Sequence, residues 1–412
     1  MRSNLVSFRL ATLSATLVVI LLASAAPSVA QSEKVIFSPS SSATQPDEGL
    51  SMDLSGNLYT TSTTQVWQLI FKNSHWTQKI VYDFASSSDV VPKGGVIGDE
   101  RGNLYGVTEF GGDTLGGSVF ELMPQANGTW TEVDLHSFGT GADGSVPVGG
   151  LARDANGNLF GTTEYGGTYG AGTVFEVSPQ SDGTWVETVL HSFGNGTDGA
   201  NPVSALVIDS AGNLFGETSF GGTNYCAYFQ QNCGTVFELV PQSDGSWTEK
   251  ILVNFSGANS GEFGTSPLIF DRHGNLYGEA SLGSTYGYGL AFELMPQSDG
   301  SWKEKVLHIF GSGNDGAEPR GGMVIDTAGN LYGVTLQGGG NNCQPVVATC
   351  GTVFELTPTA SGPWREKVLH AFSNSSDGQA PFGIVLTPGA TIYGTTWFGG
   401  ASGFGAVFQV KH

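Results

Sequence analysis

A short motif, Gly-Asn-Leu followed by Tyr or Phe, recurs about every fifty residues along this chain. Its six clear copies and one decayed copy, Thr-Ile-Tyr-Gly, begin at Gly56, Gly102, Gly157, Gly212, Gly274, Gly329 and Thr391. The first six copies are 46, 55, 55, 62 and 55 residues apart. This spacing is typical of four-stranded propeller blades rather than of solenoid turns. The chain is therefore read as seven versions of one unit.

One unit, residues 149–199, shows the internal pattern most clearly. A short apolar run reaches an Asp-x-x-Gly-Asn turn at Asp154 and returns as Asn-Leu-Phe-Gly-Thr-Thr, which predicts a hairpin. A glycine-rich link leads to a third run, and a compact turn leads to a fourth, in which Trp185, Val189 and Phe193 share one face. The pattern predicts four antiparallel strands in sequence. A meander this small cannot bury both faces, so the copies must pack on one another.

The two ends of the repeat region are incomplete, and they complement each other. The segment after Glu33 matches a fourth strand, whereas the chain stops after a third. We therefore predict an all-β fold, a seven-bladed β-propeller of four-stranded antiparallel blades. The N-terminal strand should complete the last blade and close the ring, which removes an exposed sheet edge. Residues 31–412 are predicted to form this single domain.

Residues 1–30 have the features of a secretory signal peptide. Arg2 and Arg9 precede an apolar run, and Ser28-Val29-Ala30 is a small-x-small cleavage site. The alternative, a retained membrane anchor, is disfavoured because the run is shorter than a full span. We expect a secreted protein, extracellular or periplasmic, that is not inserted in the membrane once the signal has been cleaved.

Charge excludes one class of partner. Cleavage leaves 14 basic and 37 acidic residues, a net charge of −23. Nucleic acids and anionic membranes are bound through clustered Lys and Arg, so neither is expected as a partner. We expect a soluble monomer whose partner is an extracellular glycan or protein.

The four cysteines form two locally spaced pairs, Cys226 with Cys233 and Cys343 with Cys350. Both pairs lie in links between a second and a third strand. In an exported chain this even, paired arrangement predicts two disulfides, each closing a small inserted loop. A metal or redox site is the alternative, but it lacks nearby histidines and the usual two-residue spacing.

The two faces of the predicted ring differ. Tight hairpins on one face begin with a recurrent Asp, as at Asp53 and Asp154, which we interpret as a turn cap. One carboxylate per turn is too few for Ca²⁺, which takes six to eight oxygens, so no metal or cofactor is predicted. The opposite face carries the longer links and connections, and it is rich in aromatic residues.

On this loop face, aromatic side chains accompany aspartates that precede a proline by four residues. The candidate ligand-binding residues are Tyr165, Tyr169, Tyr225, Tyr228, Phe229, Tyr286, Tyr288, Trp397, Asp143, Asp198, Asp315 and Asp377. Aromatic platforms beside carboxylates on loops held by a rigid ring are typical of sugar-binding or peptide-binding surfaces. The alternative is structural: the aromatics fill gaps between blades and the aspartates cap turns.

No catalytic constellation is evident. Apart from the turn Asp, Arg153 is the only ionisable residue that the pattern assigns to the first strands, which line the channel. A second candidate, Glu187 with His191 on one face of a fourth strand, recurs in four units, whereas a catalytic pair would occur once. We interpret these pairs as structural contacts along the strands. No residue is predicted to be catalytic.

The runs Gly-Asn-Leu-Tyr-Gly, Gly-Thr-Val-Phe-Glu-Leu and Val-Leu-His-x-Phe together resemble the Gloeo/Verruco (GloVer) tandem repeat of exported bacterial proteins. The resemblance covers about residues 90–411. It implies a secreted or surface-attached, propeller-like array, and it brings no established activity. Such proteins often carry a C-terminal anchor, but the last residues of this sequence are expected to form a strand, which argues against surface attachment. Weaker similarities to NHL and gluconolactonase-type propellers and to the sialidase Asp-box bring none of the catalytic groups of those families.

The sequence therefore predicts a secreted, noncatalytic propeller that binds an extracellular glycan or protein through its loop face. Two alternatives remain open at this stage. One is a carbohydrate-active enzyme, a polysaccharide lyase or a glycoside hydrolase, that uses the same face. The other is a structural protein of the envelope.

Overall fold

Each repeat unit folds into a small antiparallel sheet whose strands follow one another in sequence. The computed structural model describes residues 32–411, except 47, 87–89, 140–141, 259, 341–349, 361 and 374–375. The predicted signal peptide, residues 1–30, lies outside the described residues. Two short 3-10 helices, Ser42–Thr44 and Phe84–Ser86, are the helical segments found in the described part.

Seven sheets, named blades 1 to 7 in chain order, make up the ring. Blade 1 contains Ser51–Met52, Leu58–Thr61, Gln65–Lys72 and His75–Asp83. Blade 2 contains Pro92–Gly98, Leu104–Thr108, Ser118–Pro124 and Trp130–Ser137. Blade 3 contains Ala152–Arg153, Leu159–Thr163, Thr173–Pro179 and Trp185–Ser192. Blade 4 contains Val207–Ile208, Leu214–Thr218, Thr235–Pro241 and Trp247–Asn254.

In blades 5 and 6 the first strand is split into two short pieces. Blade 5 contains Glu262–Gly264 and Ile269–Phe270, then Leu276–Leu282, Leu290–Pro296 and Trp302–Ile309. Blade 6 contains Ala317–Pro319 and Val324–Ile325, then Leu331–Gln337, Thr352–Thr357 and Arg365–Ala371. The loops of blade 4 form two small two-stranded ribbons. One pairs Gly199–Ala200 with Phe220–Gly221, and the other pairs Tyr225–Cys226 with Gln231–Asn232.

Blade 7 is built from both ends of the chain. Gln379–Leu386, Thr391–Phe398 and Ala406–Lys411 supply three strands, and Ser32–Phe37 pairs antiparallel with the last of them. Glu33 lies opposite Val410, and Val35 lies opposite Phe408. The predicted seven-bladed ring, with the N-terminal strand completing the last blade, is confirmed.

The core lies between the blades and explains why two motifs repeat nearly verbatim. The phenylalanine of each Gly-Thr-Val-Phe-Glu run is fully buried and packs against the phenylalanine that directly follows the fourth strand of the preceding blade. The ring centroids of Phe138 and Phe175 are 4.8 Å apart, and those of Phe193 and Phe237 are 5.1 Å apart. A Cβ on Gly161 would lie 2.5 Å from the Phe175 ring. Gly161, the glycine that follows the Tyr or Phe of the recurrent Gly-Asn-Leu motif, therefore leaves room for this phenylalanine.

First strands crowd around the central axis, where glycines permit close backbone contact. A Cβ on Gly94, which has a φ of +68°, would lie 2.5 Å from the amide nitrogen of Gly150. A Cβ on Gly321 would lie 2.4 Å from the nitrogen of Gly383. The channel between the strands has a volume of only about 240 Å³ and is lined by all seven blades. A ligand therefore has little room inside the channel, and its mouth is the accessible part.

Candidate ligand-binding site at the channel mouth

A cavity of about 400 Å³ opens where the channel meets the loop face. Most of its lining comes from two register positions in the repeat. One position lies six residues before the Asp of the first hairpin, and it is filled in blades 2 to 6 by Lys93, Val148, Val203, Thr265 and Arg320. In blades 1 and 7, Glu48 and Phe382 line the mouth from one residue nearer the turn.

The second position follows a threonine at or near the end of the second strand. It brings Glu109, Glu164, Ser219 and Trp397 into the same cavity. The residues next to these two positions are glycine, proline or threonine in most copies of the repeat. The two positions themselves hold charged, apolar or aromatic side chains in different blades. The mouth is therefore a place where the copies differ in chemistry.

Two stacked aromatic pairs form opposite parts of the mouth lining. Phe382 and Trp397 are nearly parallel, with an interplanar angle of 6° and centroids 5.6 Å apart. Phe229 and Phe263 stack at 4.9 Å and 29°. Phe220 contacts both members of the second pair through ring contacts of 5.5 Å. Flat apolar surfaces of this kind suit stacking against the faces of a ligand.

Charged groups stand among these rings. Lys93 Nζ lies 3.7 Å from Glu48 Oε1. The Arg320 guanidinium lies 5.9 Å from the centroid of the Phe263 ring, and its buried Nε has no hydrogen-bond partner. Burial lowers the pKa of Arg320, and the neighbouring carboxylates of Glu318 and Glu48 oppose this effect. Arg320 thus brings a positive charge beside an aromatic surface into the lining of the mouth.

Of the twelve candidate residues from the sequence, Phe229 and Trp397 line the mouth. Tyr228 and Tyr288 line a separate cavity of about 400 Å³, together with Glu262 and Glu318. Four tyrosines lie exposed on the loops and line neither cavity: Tyr165, Tyr169, Tyr225 and Tyr286.

The four candidate aspartates lie on the outer rim, away from the mouth. Each accepts a hydrogen bond from the backbone amide four residues earlier, as Asp198 does from Gly194 at 3.0 Å and Asp315 from Gly311 at 3.1 Å. Asp143 and Asp377 bond in the same way to Gly139 and Ser373. These carboxylates therefore cap turns, as in the structural alternative to a binding role. Each of them also lies beside a histidine.

These histidines end the fourth strands, as the sequence indicated, and the acid beside each is the rim aspartate. The Nε2 to Oδ2 distances are 3.4 Å for His136 and Asp143, 3.4 Å for His191 and Asp198, 3.1 Å for His308 and Asp315, and 3.3 Å for His370 and Asp377. Burial is the largest influence on Glu187, Glu249 and Glu33, and it raises the pKa of each to about 7. The charge of the preceding blade's aspartate adds to each of these pKa increases.

The sequence analysis missed the charged residues of the mouth. It identified Arg153 as the one ionisable residue of the first strands, but Arg153 lies next to the first hairpin and pairs with Glu100 at 3.5 Å. Lys93 and Arg320 immediately precede the paired glycines of their units. A comparison of the copies for the position that varies most between fixed neighbours would have found them.

The inserted loop that carries Phe229 is closed by a disulfide between Cys226 and Cys233, as predicted, with a Cα separation of 5.1 Å. Cys350 is also disulfide-bonded. Its predicted partner, Cys343, lies outside the described residues. The first disulfide constrains the loop that supplies Phe229, one member of the Phe229 and Phe263 pair at the mouth.

Two fully buried glutamates lie near the mouth, between blades. The Glu217 carboxylate accepts a hydrogen bond from the Ser266 amide at 3.3 Å, next to Thr265 in the mouth lining. Glu279 has no hydrogen bond of good geometry to either carboxylate oxygen, although Ser266 and the Gly322 amide are near. Burial raises the pKa of Glu217 well above its usual range and that of Glu279 to about 8.

The turn face carries a larger cavity, of about 560 Å³, between blades 5 and 6. It is a widened form of a contact that recurs between blades. Tyr277 and Trp364 meet there at 5.9 Å, as Tyr105 and Trp185 do elsewhere at 6.1 Å. The turn aspartates on this face bond to their own turns, as Asp154 Oδ1 does to the Asn158 amide at 2.9 Å. This repetition favours a structural role for the turn face.

The sequence matches the Gloeobacter/Verrucomicrobia repeat over residues 26–229 and again over residues 227–412. The chain belongs to the Gloeobacter/Verrucomicrobia repeat family. No curated protein matches it. Within the described residues, no helix has the length and hydropathy needed to cross a bilayer.

Solved structures similar to this repeat-family chain are propellers of low sequence identity. Virginiamycin B lyase from Staphylococcus aureus aligns with a TM-score of 0.53 and 11% identity, covering 93% of this chain and 99% of the lyase. The extracellular domain of a proposed hybrid two-component system from B. thetaiotaomicron aligns with a TM-score of 0.57 and 11% identity, covering 92% of this chain and 39% of that one. At these identities the similarity supports the fold alone.

Proposed function

We propose that this repeat-family propeller is an exported, noncatalytic protein that binds an extracellular glycan at the channel mouth. The observation that carries the proposal is the chemistry of the two variable register positions. They place the stacked Phe382 and Trp397 around the same cavity as Lys93 and Arg320. Phe263, two residues before the register position of blade 5, adds an aromatic surface beside Arg320. Sugar rings present apolar faces to aromatic side chains and hydroxyls to charged donors and acceptors, so this mixture suits a saccharide.

The size of the cavity agrees with a short saccharide segment. About 400 Å³ lies within the range of small-molecule sites. The site is also rigid, because its residues flank strands packed around the axis and a loop closed by a disulfide. A rigid site loses little conformational entropy on binding.

Location outside the cytoplasm is the second part of the proposal. It is supported by the signal-peptide pattern of residues 1–30, by the Cys226–Cys233 disulfide and by similarity to extracellular propeller domains. Disulfides persist in oxidising compartments. In this proposal the protein acts as a monomer, and binding needs no calcium.

A glycan array and a polysaccharide-depolymerisation screen of residues 31–412, each with and without calcium, test the proposal. We expect binding without released oligosaccharide. Trp397→Ala should weaken that binding at least about tenfold, because it removes one of the stacked platforms. The control is Phe71→Ala, which removes an exposed aromatic side chain that does not line the mouth.

Three outcomes would contradict the proposal. Released oligosaccharide would favour the enzyme alternative. Capture of a protein with no glycan bound would favour a protein partner. An equal loss of affinity in Trp397→Ala and Phe71→Ala would place binding away from the mouth.

A further inference from the structure

The outer rim repeats a three-residue arrangement at several blade boundaries. A histidine at the end of one fourth strand faces the aspartate of the following connection, and a glutamate on the fourth strand of the next blade lies near that aspartate. We call these arrangements rim triads, and they comprise His136, Asp143 and Glu187; His191, Asp198 and Glu249; His308, Asp315 and Glu366; and His370, Asp377 and Glu33. The last of them is completed by the ring-closing strand.

The triad between blades 3 and 4 is the most contracted. His191 Nε2 lies 3.4 Å from Asp198 Oδ2 and 3.8 Å from Glu249 Oε1. One ligand atom from each of the three residues lies within 4.8 Å of both others. Among the described residues, this is the one histidine-containing group that meets that limit.

Two of the three atoms have unmet bonding capacity. His191 Nε2 and Glu249 Oε1 are both buried from solvent, and apart from the 3.4 Å contact between His191 Nε2 and Asp198 Oδ2 neither has a hydrogen-bond partner. Buried polar atoms are rarely left unpaired, so their convergence on one point calls for an additional partner. A cation between them would satisfy both atoms.

The remaining contacts hold the group in place. Asp198 uses its other oxygen, Oδ1, to accept a hydrogen bond from the Gly194 amide at 3.0 Å. The His191 ring meets the fully buried Phe193 ring edge-on, with centroids 4.6 Å apart. A histidine fixed by packing and a carboxylate fixed by a backbone amide resemble the outer-shell support of metal ligands.

We propose that His191, Asp198 and Glu249 form a binding site for one Zn²⁺ ion. Zinc binds nitrogen and carboxylate oxygen at about 2.0–2.2 Å, which places the ligands of a tetrahedral site roughly 3.3–3.6 Å apart. The separations of 3.4 and 3.8 Å from His191 Nε2 are close to this geometry, and the two carboxylate oxygens lie within 4.8 Å of each other. Calcium is a poorer match, because it takes six to eight oxygen ligands.

The ion would join two neighbouring blades. His191 belongs to the outer strand of blade 3, Asp198 to the connection, and Glu249 to the outer strand of blade 4. The sequence analysis predicted no metal because each turn offers too few carboxylates for calcium, and it did not consider this group, whose nearest two ligands are seven residues apart and whose third lies in the next copy. Their convergence depends on how adjacent blades pack.

Calorimetric titration of chelator-treated protein, residues 31–412, with Zn²⁺ tests the proposal. We expect one ion per chain and a Tm that rises with zinc. His191→Asn and Glu249→Gln should each weaken zinc binding at least about a hundredfold and remove the increase in Tm. Glu249→Gln keeps the shape of the side chain, so it tests the site even if His191→Asn folds poorly.

The matched control is His308→Asn, at a triad whose three ligand atoms do not come together within the same limit. It should leave the affinity and stoichiometry of zinc unchanged. The proposal is overturned if wild-type protein binds no zinc, or if His191→Asn and Glu249→Gln bind zinc as tightly as the wild type.

Discussion

Glu279→Gln should make the propeller progressively more stable than the wild type as the pH rises from 5 to 9. Glu279 is fully buried between blades, and neither carboxylate oxygen has a well-formed hydrogen bond. Burial therefore favours the neutral acid and raises the pKa of Glu279 to about 8 in the folded protein. Glutamine cannot ionise, and it keeps nearly the same shape.

The direction in which the free energy of unfolding changes with pH follows from the number of protons that each state binds. An unfolded glutamate has a pKa of about 4.3, so between roughly pH 4.3 and 8 the folded state holds a proton that the unfolded state has released. The contribution of neutral Glu279 is complete below this range and is lost as the pH rises through it. At about 1.4 kcal/mol per pH unit, the total loss approaches about 5 kcal/mol by pH 8.

Chemical denaturation of both proteins at intervals from pH 5 to 9 measures this difference. The two unfolding free energies should be similar near pH 5 and differ by several kcal/mol near pH 8. Glu100→Gln is the control for the loss of a carboxylate at the surface, because the Glu100 side chain is 84% exposed. Parallel pH profiles for wild type and Glu279→Gln would refute the reasoning.

Three further predictions concern the ring and its loop. Gly94→Ala should lower the free energy of unfolding by about 3 kcal/mol or more, because the new Cβ would lie 2.5 Å from Gly150. The control Gly128→Ala has a similar φ but open space around the new Cβ, so it should cost about 1–2 kcal/mol. Thermal or chemical unfolding measures both. Deletion of residues 32–37 should expose the last strand of blade 7 and cause aggregation, whereas an intact, monodisperse ring on size-exclusion chromatography would contradict the closure. Replacement of Cys226 and Cys233 by serine should lower the free energy of unfolding by about 2 kcal/mol, because the loop that carries Phe229 loses its constraint. Glycan binding should weaken for the same reason. An unchanged affinity would show that the loop does not contribute to the binding site.

The architecture was predictable because it depends on local, repeated patterns. The spacing of the recurrent motif indicated the blades, and the unmatched ends of the repeat indicated the closure. The interblade phenylalanines such as Phe175 and Phe237 were not predicted, but the structure explains through them why the motifs are nearly verbatim, since each ring must fit the same gap.

The candidate site was less predictable because it depends on which way the loops turn. Tyr165 and Tyr286 occur in aromatic-rich links, but the structure leaves them on the outer surface, whereas Phe229 and Trp397 turn toward the axis. Lys93 and Arg320 stand as single charges beside glycines, and nothing local distinguishes them from solvated surface residues. Their shared position at the channel mouth can be recognised only when the copies are arranged around the axis of the ring.

The rim acids illustrate the same limit. The sequence paired Glu187 with His191 because they share one face of a strand. In the structure, His191 approaches Asp198 and Glu249, and Glu187 lies near Asp143 of the preceding connection. Such pairings cross blade boundaries, so they depend on interblade packing that no single copy encodes.

Hydrogen–deuterium exchange of the protein with and without a saturating array-identified glycan tests the central claim, that the mouth is the binding surface. The account predicts slower exchange in peptides that contain Lys93, Arg320 and Trp397, and unchanged exchange in the turn around Asp154. Protection confined to the turn face, or to the exposed tyrosine links alone, would contradict it.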